Sequence, residues 1–249
     1  LGRIDGQVCL VPYALPGDRI EISEPRKRSG VLRAEIRALL ENSPHRAIAE
    51  CPVFGTCGGC TWLHFAYPAQ AEAKRALVTD CFRRIARREV EPGFTEDAAL
   101  RLGYRTRATF RARDGRCGFL EARSHTITDI ASCPLCHPRL NDALRTLRAS
   151  GLEGEFEITV NPEGPETLVW VRESVEETRA VFPLTNGPAD RGPRHQFLFD
   201  GAPVVCGAFA QSSLLLNRLL VRVAQEAIGE GSDLLDLYCG SGNFSLALV

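Results

Sequence analysis

The sequence has no uninterrupted apolar run approaching the roughly 20 residues that a membrane-spanning helix requires. It also has no charged segment followed by an apolar stretch at its start, which is the pattern of a secretory signal. Methionine is absent, and only 2 tryptophans and 4 tyrosines occur among 249 residues. From the first two absences we expect a cytoplasmic protein with no membrane partner.

Strong compositional bias is absent as well. Hydrophobic residues make up 44% of the chain and charged residues 24%, with a net charge of -1. These proportions are typical of folded globular proteins and argue against disorder, collagen-like repeats and fibres. The chain is long enough to bury a core and to hold more than one domain.

The near-neutral net charge of the chain conceals two oppositely charged segments. Seven arginines stand against two acidic residues between positions 101 and 123, and eight glutamates stand against one arginine between positions 153 and 177. The net charge is therefore a poor guide to the partners of this protein. Four of the arginines alternate along one predicted strand, where they can share a face and bind the phosphates of a nucleic acid: Arg105, Arg107, Arg111 and Arg113. The alternative is a solvated face that pairs across the sheet with the glutamates of 153–157.

Spacing and turn residues predict a mixed α/β chain. An amphipathic helix is expected over 68–88, because Pro68 suits a first helical turn and Val78, Phe82 and Ile85 recur on one side. Other predicted helices cover 138–148 and a segment from Ser212 or Ser213 to Ile228. The predicted strands cover 8–11, 19–23, 31–39, 106–111, 156–160 and 168–171, with a buried strand at 234–238.

Ten cysteines are too few for a disulfide scaffold, but three of them cluster in a glycine-rich loop. Cys51, Cys57 and Cys60 stand within ten residues, and Cys133 is the candidate for a fourth ligand, with Cys136 in reserve. Four thiolates suit an iron–sulfur cluster or a structural zinc ion. The zinc interpretation pairs Cys57 and Cys60 with Cys133 and Cys136, and a third interpretation leaves the thiols without a ligand.

The last segment of the chain runs from an apolar stretch into a glycine loop. Asp236 precedes Gly240 and Gly242, in an order that lets the backbone approach a nucleotide-like ligand closely. A dinucleotide-binding loop would have a third glycine where Ser245 stands. The order Asp-x-x-x-Gly-x-Gly is instead similar to motif I of methyltransferases that use S-adenosylmethionine.

Together these segments resemble the RNA (uracil-5-)-methyltransferases, in particular the iron–sulfur type that acts on ribosomal RNA. The resemblance covers essentially the whole chain. The matching segments, besides the cysteine pattern, are 6–11, 14–18, 104–107, 118–119, 124–125, 133–135, 209–211 and 236–244.

The resemblance implies an α/β multidomain fold with three parts. Residues 1–48 would form an OB-like β-barrel of the TRAM type that binds RNA, and residues 49–200 a central α+β iron–sulfur domain. Residues 201–249 would begin a Rossmann-like methyltransferase domain, here truncated, on which the helix at 68–88 is expected to pack.

The resemblance also implies two cofactors and their ligands. A 4Fe-4S cluster would be held by Cys51, Cys57, Cys60 and Cys133. The residues that would contact S-adenosylmethionine are Gln211, Tyr238, Gly240, Gly242 and Asn243.

The implied activity is methylation of uridine C5 in structured RNA, with 23S ribosomal RNA as the expected substrate and a monomer as the expected state. Uracil C5 becomes nucleophilic only after a thiolate adds at C6, and a base then removes the C5 proton. In the family, that cysteine and that base lie C-terminal to the glycine motif, beyond Val249. We therefore expect this chain to be part of a longer protein, to contain no catalytic residue and to be inactive by itself.

Two other functions are alternatives to uridine methylation. One is a non-catalytic, metal-stabilised RNA-binding protein, and the other is a nicotinamide-dependent oxidoreductase with an iron–sulfur centre.

Overall fold

The computed structural model describes residues 2–229, 231 and 233–248, in two compact units, Leu1–Phe94 and Thr95–Val249. The first and last residues of the predicted outer domains, Leu1 and Val249, lie outside the described residues. The mixed α/β character predicted from the sequence is confirmed. Within the described ranges, no helix has the length and apolar character that crossing a bilayer would require.

The first unit consists of short strands and one long helix. Its elements are β1 Gly2–Ile4, β2 Gln7–Leu10, β3 Arg19–Ile22, β4 Arg26–Arg28, β5 Val31–Arg33, β6 Ile36–Glu41 and α1 Tyr67–Cys81. Four strands form a sheet in the order β1-β2-β5-β4, while β3 and β6 pair separately. The prediction of one strand over 31–39 is wrong, because buried Ala34 bonds to Leu10 of the first sheet and the following residues pair with β3.

The helix predicted over 68–88 is present, but its apolar side is not buried. Helix α1 starts with Pro68 in its first turn and continues as a π-helical turn, Phe82–Ala86, which ends at left-handed Arg87 (φ 53°). No residue of α1 is buried, and Phe82 and Ile85 are 45% and 83% exposed. The spacing of apolar residues predicted the helix correctly. It did not predict whether the apolar side would be buried, and in α1 no residue is buried.

The second unit is organised around a six-stranded sheet in the order β12-β11-β10-β7-β8-β9. Alternate residues of β7 and β10 point to the face that helix α2 covers, where Phe110, Phe156, Leu140, Leu144 and Leu147 are almost fully buried. The elements are β7 Arg107–Arg113, β8 Arg116–Leu120, β9 Ile127–Asp129, α2 Pro138–Ser150, β10 Gly154–Val160, β11 Thr167–Val171, α3 Val175–Val181, β12 Thr185–Asn186, β13 Gln196–Phe199, β14 Ala202–Val205 and α4 Leu214–Ile228.

Helix α4 is joined to this unit at its first turn. The Ser213 side chain caps the helix by accepting a hydrogen bond from the Leu216 amide. Leu214 packs in an apolar cluster with Phe197, Phe199 and Leu168. The predicted start of the helix at Ser212 or Ser213 and its end near Ile228 are confirmed.

The buried strand predicted at 234–238 is wrong for the described structure. These residues are assigned to no strand, and Leu235, Leu237 and Tyr238 are 80%, 70% and 103% exposed. A strand is stable only when neighbouring strands satisfy its backbone hydrogen-bonding groups and cover its side chains. The apolar sequence did not suffice to form a strand here, since this segment belongs to none of the described sheets.

Candidate functional site

The cysteine-rich loop of the first unit is a compact turn packed on aromatic side chains. Cys57 is buried, its Sγ accepts a hydrogen bond from the Gly59 amide at 3.4 Å, and its own amide donates to the Val53 carbonyl at 2.9 Å. Phe54 lies in contact with both Tyr13 and His64, at ring-centroid distances of 5.3 and 5.2 Å. The loop is therefore fixed by the fold of this unit.

The second cysteine pair forms a turn before helix α2, and Asn141 from that helix holds it. The Asn141 side chain accepts from the Cys133 amide at 2.8 Å and donates to the carbonyls of Cys133 and Cys136 at 3.1 and 3.2 Å. A hydrogen bond from Cys136, together with nearby backbone amides and Arg105, lowers the pKa of the Cys133 thiol to about 6 despite its burial. A thiol with a lowered pKa is better prepared to act as a thiolate ligand.

The four cysteines predicted to hold a cluster are divided between the two units. Cys51, Cys57 and Cys60 belong to the first and Cys133 to the second. All ten cysteines are among the described residues, and no disulfide links any of them. Over the described ranges, no group of three or more His, Cys, Asp or Glu side chains is gathered in a way that could hold a metal ion. The thiols and the amide donor to Cys57 fit a thiolate site in their chemistry.

The four arginines predicted to share one face have different surroundings. Arg107 donates to the Ala208 carbonyl at 2.6 Å and pairs with Glu157 at 2.6 Å, and Arg111 pairs with Glu155 on β10. Arg113, at the end of β7, is exposed, and it has no ion pair among the described residues. Arg105 precedes the strand, close to the Cys133 turn, and its Nε is buried without a hydrogen-bond partner in the described part of the chain.

An open cleft of about 730 Å³ lies beside the β7–β8 hairpin in the second unit. Its lining combines four arginines with four carboxylates: Arg111, Arg113, Arg116 and Arg172 with Asp114, Glu153, Glu155 and Glu173. The equal numbers give this cleft no net charge that would attract a polyanion. A phosphate contact here must therefore depend on individual exposed arginines such as Arg113.

The glycine loop has the backbone geometry that a closely approaching ligand requires. Gly240 and Gly242 adopt left-handed conformations with φ of 59° and 79°, as does Tyr238 with φ of 60°. A Cβ at Gly240 would meet no atom within 4 Å, so the space beside this glycine is open. One carboxylate oxygen of Asp236 is buried and has no hydrogen-bond partner among the described residues. Open space and an unsatisfied acceptor fit a polar ligand.

Side chains of α4 connect this loop to the rest of the second unit. Asn217 and Asn243 form two reciprocal amide hydrogen bonds, with N···O distances of 2.8 and 3.0 Å. Gln225 donates from its Nε2 to the Ala247 carbonyl at 2.7 Å. Asn217 was not among the predicted site residues, because a half-buried asparagine within a helix has no distinguishing pattern in a single sequence.

The segment that carries Gln211 is attached to the start of β7. The Thr106 amide donates to the Ser212 carbonyl at 2.9 Å, and the Thr106 hydroxyl accepts from the Leu214 amide at 3.0 Å. Before Gln211 in the chain, the Ala208 carbonyl accepts a hydrogen bond from the Arg107 guanidinium. The predicted cofactor residues thus lie on two segments, one ahead of α4 and one in the glycine loop, which α4 connects.

Comparison with known proteins identifies relatives along the whole chain. The 23S rRNA (uracil(1939)-C(5))-methyltransferase RlmD of Acidithiobacillus ferrooxidans is 28% identical over 305 residues, covering 100% of this chain and 65% of that protein. The protein of the same name from Halomonas elongata is 29% identical, covering 99% of this chain and 60% of the relative. An uncharacterized RNA methyltransferase of Bdellovibrio bacteriovorus is 26% identical, with 100% and 58% covered. The chain thus spans about two thirds, or slightly less, of the length of these curated relatives.

The fold also has a counterpart among solved structures. The tRNA (uracil-54, C5)-methyltransferase of Pyrococcus abyssi, solved in complex with S-adenosyl-L-homocysteine, matches with a TM-score of 0.68 and 22% identity over 96% of this chain and 65% of that chain. No protein-family model matches the sequence. The resemblance found in the sequence motifs is confirmed: this chain is a relative, over its whole length, of the RNA (uracil-5-)-methyltransferases.

Proposed function

We propose that this protein takes part in the S-adenosylmethionine-dependent methylation of uridine C5 in RNA, with 23S ribosomal RNA as the substrate. The observation that carries the proposal is the similarity of the entire chain to relatives named as 23S rRNA uracil-C5-methyltransferases. Further support comes from the fold, which matches a tRNA uracil-C5-methyltransferase solved with S-adenosylhomocysteine. The open backbone at Gly240 is compatible with such a ligand.

The cofactor would be held by Gln211 and by the glycine loop. Gly240 leaves open space for the ligand beside the backbone, whereas Gly242 lies against the Leu246 side chain and gives the loop its left-handed turn. Tyr238 and Asn243 flank the loop with a ring and an amide. When bound, S-adenosylmethionine supplies an electrophilic methyl group. The residues of this chain bind and orient it, and none of the ten cysteines is assigned as the nucleophile that attacks the base.

Of the four arginines predicted to bind RNA, we propose that Arg113 makes the direct phosphate contact. It is exposed, whereas Arg107 and Arg111 are already engaged by Glu157 and Glu155. Arg105 lies near the cysteine turn, where it can shape the surface without touching RNA. We further propose that the partner is structured RNA and that the protein binds it as a monomer in the cytoplasm.

We also propose that Cys51, Cys57, Cys60 and Cys133 hold a 4Fe-4S cluster. The support is the family resemblance and the amide that donates to Cys57. No step of methyl transfer is assigned to the cluster. The N-terminal strands would correspondingly form the TRAM-type RNA-binding module.

Metal analysis of protein purified without oxygen tests the cluster. About four irons and four sulfides per chain are expected, with broad absorption near 400 nm. About one zinc and no iron would instead assign Cys57, Cys60, Cys133 and Cys136 to a structural site. The substitution Cys51→Ser separates these outcomes, since Cys51 belongs only to the iron–sulfur set, and Cys81→Ser is the matched control.

Deletion of the gene that carries this sequence tests the function. The nucleosides of 23S ribosomal RNA from the deletion strain are expected to lack one 5-methyluridine, and the unaltered gene should restore it. A complementing gene with Asn243→Ala should restore less. An unchanged nucleoside profile in the deletion strain would contradict the proposed function.

Ligand binding to the chain itself separates the alternatives. Titration with S-adenosylhomocysteine is expected to give a saturable isotherm, and titration with NADH is expected to give none. Binding of NADH would support the oxidoreductase interpretation. Binding of RNA without S-adenosylhomocysteine would support a non-catalytic RNA-binding protein.

A further inference from the structure

The amide pair between Asn217 and Asn243 fixes how the asparagine of the glycine loop is oriented. Each side chain donates one hydrogen bond and accepts one, at 2.8 and 3.0 Å. A carboxamide has two N–H donors and an oxygen with two lone pairs, so half of the capacity of Asn243 is used by Asn217. One N–H group and one lone pair of Asn243 remain for a ligand, in directions set by the pair.

The N-terminal end of α4, which carries Asn217, is fixed to the rest of the second unit. Asn217 lies in the second turn of α4, just after the Ser213 cap. The first turn is fixed to the central sheet by the Leu214 amide, which donates to the fully buried Thr106 hydroxyl at 3.0 Å. The next residue, Arg218, is held by ion pairs to Glu163 and Asp200. Asn217 therefore occupies a defined position relative to the sheet.

Among the described residues, the backbone of the glycine loop is held by local hydrogen bonds. These run from Gly242 to Cys239 and from Leu246 to Gly242, both at 2.9 Å. The preceding residues Leu235 and Leu237 are exposed and add no apolar packing. The orientation of Asn243 thus depends on the contact with α4 more than on the loop itself.

We infer that Asn217 is a positioning residue that holds the Asn243 carboxamide in the orientation needed to bind S-adenosylmethionine or its product. The inference rests on the proposed function, because it takes Asn243 as a ligand of the cofactor. Removal of Asn217 lets the Asn243 side chain sample other rotamers and other partners. Because the pair exists with or without a ligand, its loss acts through the cost of ordering the freed Asn243 side chain on binding, which is expected to weaken ligand affinity by up to about tenfold.

A double-mutant cycle measured by calorimetric titration of the whole chain with S-adenosylhomocysteine tests the inference. Asn217→Ala and Asn243→Ala are each expected to weaken binding, and the double variant should bind no worse than Asn243→Ala alone. Such non-additivity is the sign of two residues that act as one unit. Gln225→Ala is the matched control, since it removes another bond from α4 to the loop and should leave the affinity within about twofold of the unaltered chain.

A pH profile distinguishes positioning from a general loss of structure. In Asn217→Asp, the ionised carboxylate can accept from Asn243 but cannot donate to it, whereas the protonated acid can do both. Relative to the unaltered chain at the same pH, the ligand affinity of this variant is therefore expected to rise as the pH falls from about 7 to about 4, near the ordinary pKa of an aspartate. The melting temperature of the variant at each pH shows whether the fold itself changes.

The outcomes separate the inference from the function on which it rests. If the unaltered chain fails to bind S-adenosylhomocysteine, the proposed cofactor site fails and the inference fails with it. If the unaltered chain binds and Asn243→Ala weakens binding, but Asn217→Ala and Asn217→Asp bind normally at every pH, only the inference is overturned. Equal weakening by Gln225→Ala would also overturn it, because the effect would then belong to helix docking in general.

Discussion

At the residue scale, the carboxylate of Asp18 in the first unit is buried and accepts several hydrogen bonds. It accepts from the amides of Leu15 and Ser43 at 2.6 and 2.9 Å and from Arg46, whose Nε lies at 3.1 Å. The Asp18 side chain is only 1% exposed. Burial alone would raise its pKa, but hydrogen bonds from Arg46 and the two amides outweigh that effect and lower the pKa to about 2.

This lowered pKa predicts how the stability of the unit depends on pH. Because the folded pKa of about 2 lies below the unfolded value of 3.8, the stabilisation is present above the unfolded value and is lost as the pH falls through the folded one. The difference corresponds to about 2 kcal/mol of unfolding free energy. The substitution Asp18→Asn should remove this part of the acid dependence in denaturant titrations.

The control for that measurement is Glu41→Gln. Glu41 pairs with Arg19 at the surface, where both side chains are about two-thirds exposed, so its removal should change stability by less than about 1 kcal/mol. If Glu41→Gln altered the acid dependence as much as Asp18→Asn, the buried network would not be its source.

The contrast between Arg113 and Arg107 gives a second residue-scale prediction. Arg113→Ala should weaken RNA binding and reduce the slope of log K against log salt by about 1, because one phosphate contact is lost. Arg107→Ala should lower the unfolding free energy with a smaller effect on the slope, since its guanidinium already binds Ala208 and Glu157. Filter-binding assays at several salt concentrations measure the first effect and denaturant titrations the second.

Arg145→Ala provides the baseline for the RNA measurements, because Arg145 is an exposed arginine of α2 paired with Asp142. A larger change in salt slope for Arg107→Ala than for Arg113→Ala would contradict the assignment of the phosphate contact.

At the element scale, the attachment of α4 to the sheet depends on a buried hydroxyl. Thr106→Val keeps the shape of the side chain but leaves the buried Leu214 amide without an acceptor, which should cost about 2 kcal/mol of unfolding free energy. The same substitution at Thr128 is the matched control. Thr128 is also buried, yet its hydroxyl has no hydrogen-bond partner among the described residues, so Thr128→Val should cost nothing or stabilise.

Denaturant titration of both variants decides this prediction, and equal destabilisation would contradict it. Because α4 carries Asn217, Thr106→Val should also weaken binding of S-adenosylhomocysteine, while Thr128→Val should not. Binding that is normal in Thr106→Val would mean that the helix keeps its place without the hydroxyl.

At the scale of the whole molecule, the chain divides into two units joined by an irregular segment. Residues 87–97 form no helix or strand and are mostly exposed. Segments of this kind are the first sites of proteolysis in a folded protein. Brief treatment with trypsin should therefore cut first at Arg87 or Arg88 and give two stable fragments, one for each unit.

A second protease checks that the structure, and not the specificity of trypsin, decides the cut. A glutamate-specific protease should cut first at Glu89 or Glu91 and give fragments of nearly the same size on mass spectrometry. First cuts within the six-stranded sheet of the second unit would contradict the division into two units.

Much of this protein was predictable from the sequence, because the relevant signals are local. The spacing of apolar residues predicted the helices at 138–148 and up to Ile228, and motif order alone was enough to recognise the methyltransferase relatives. The glycine loop was also visible, since Gly240 and Gly242 occupy the left-handed backbone positions that favour glycine.

Tertiary structure alone decided which partners the side chains find. The sequence left two roles open for Arg107, a phosphate contact or pairing with the glutamates of 153–157, and the pairing of β7 with β10 brought its side chain to Glu157. Apolar composition predicted a strand at 234–238, but a strand also needs neighbouring strands that pair with its backbone. The contact between Asn217 and Asn243 joins residues 26 positions apart, and no periodicity in the sequence encodes it. Local patterns fix the elements, while long-range contacts depend on the packing that brings those elements together.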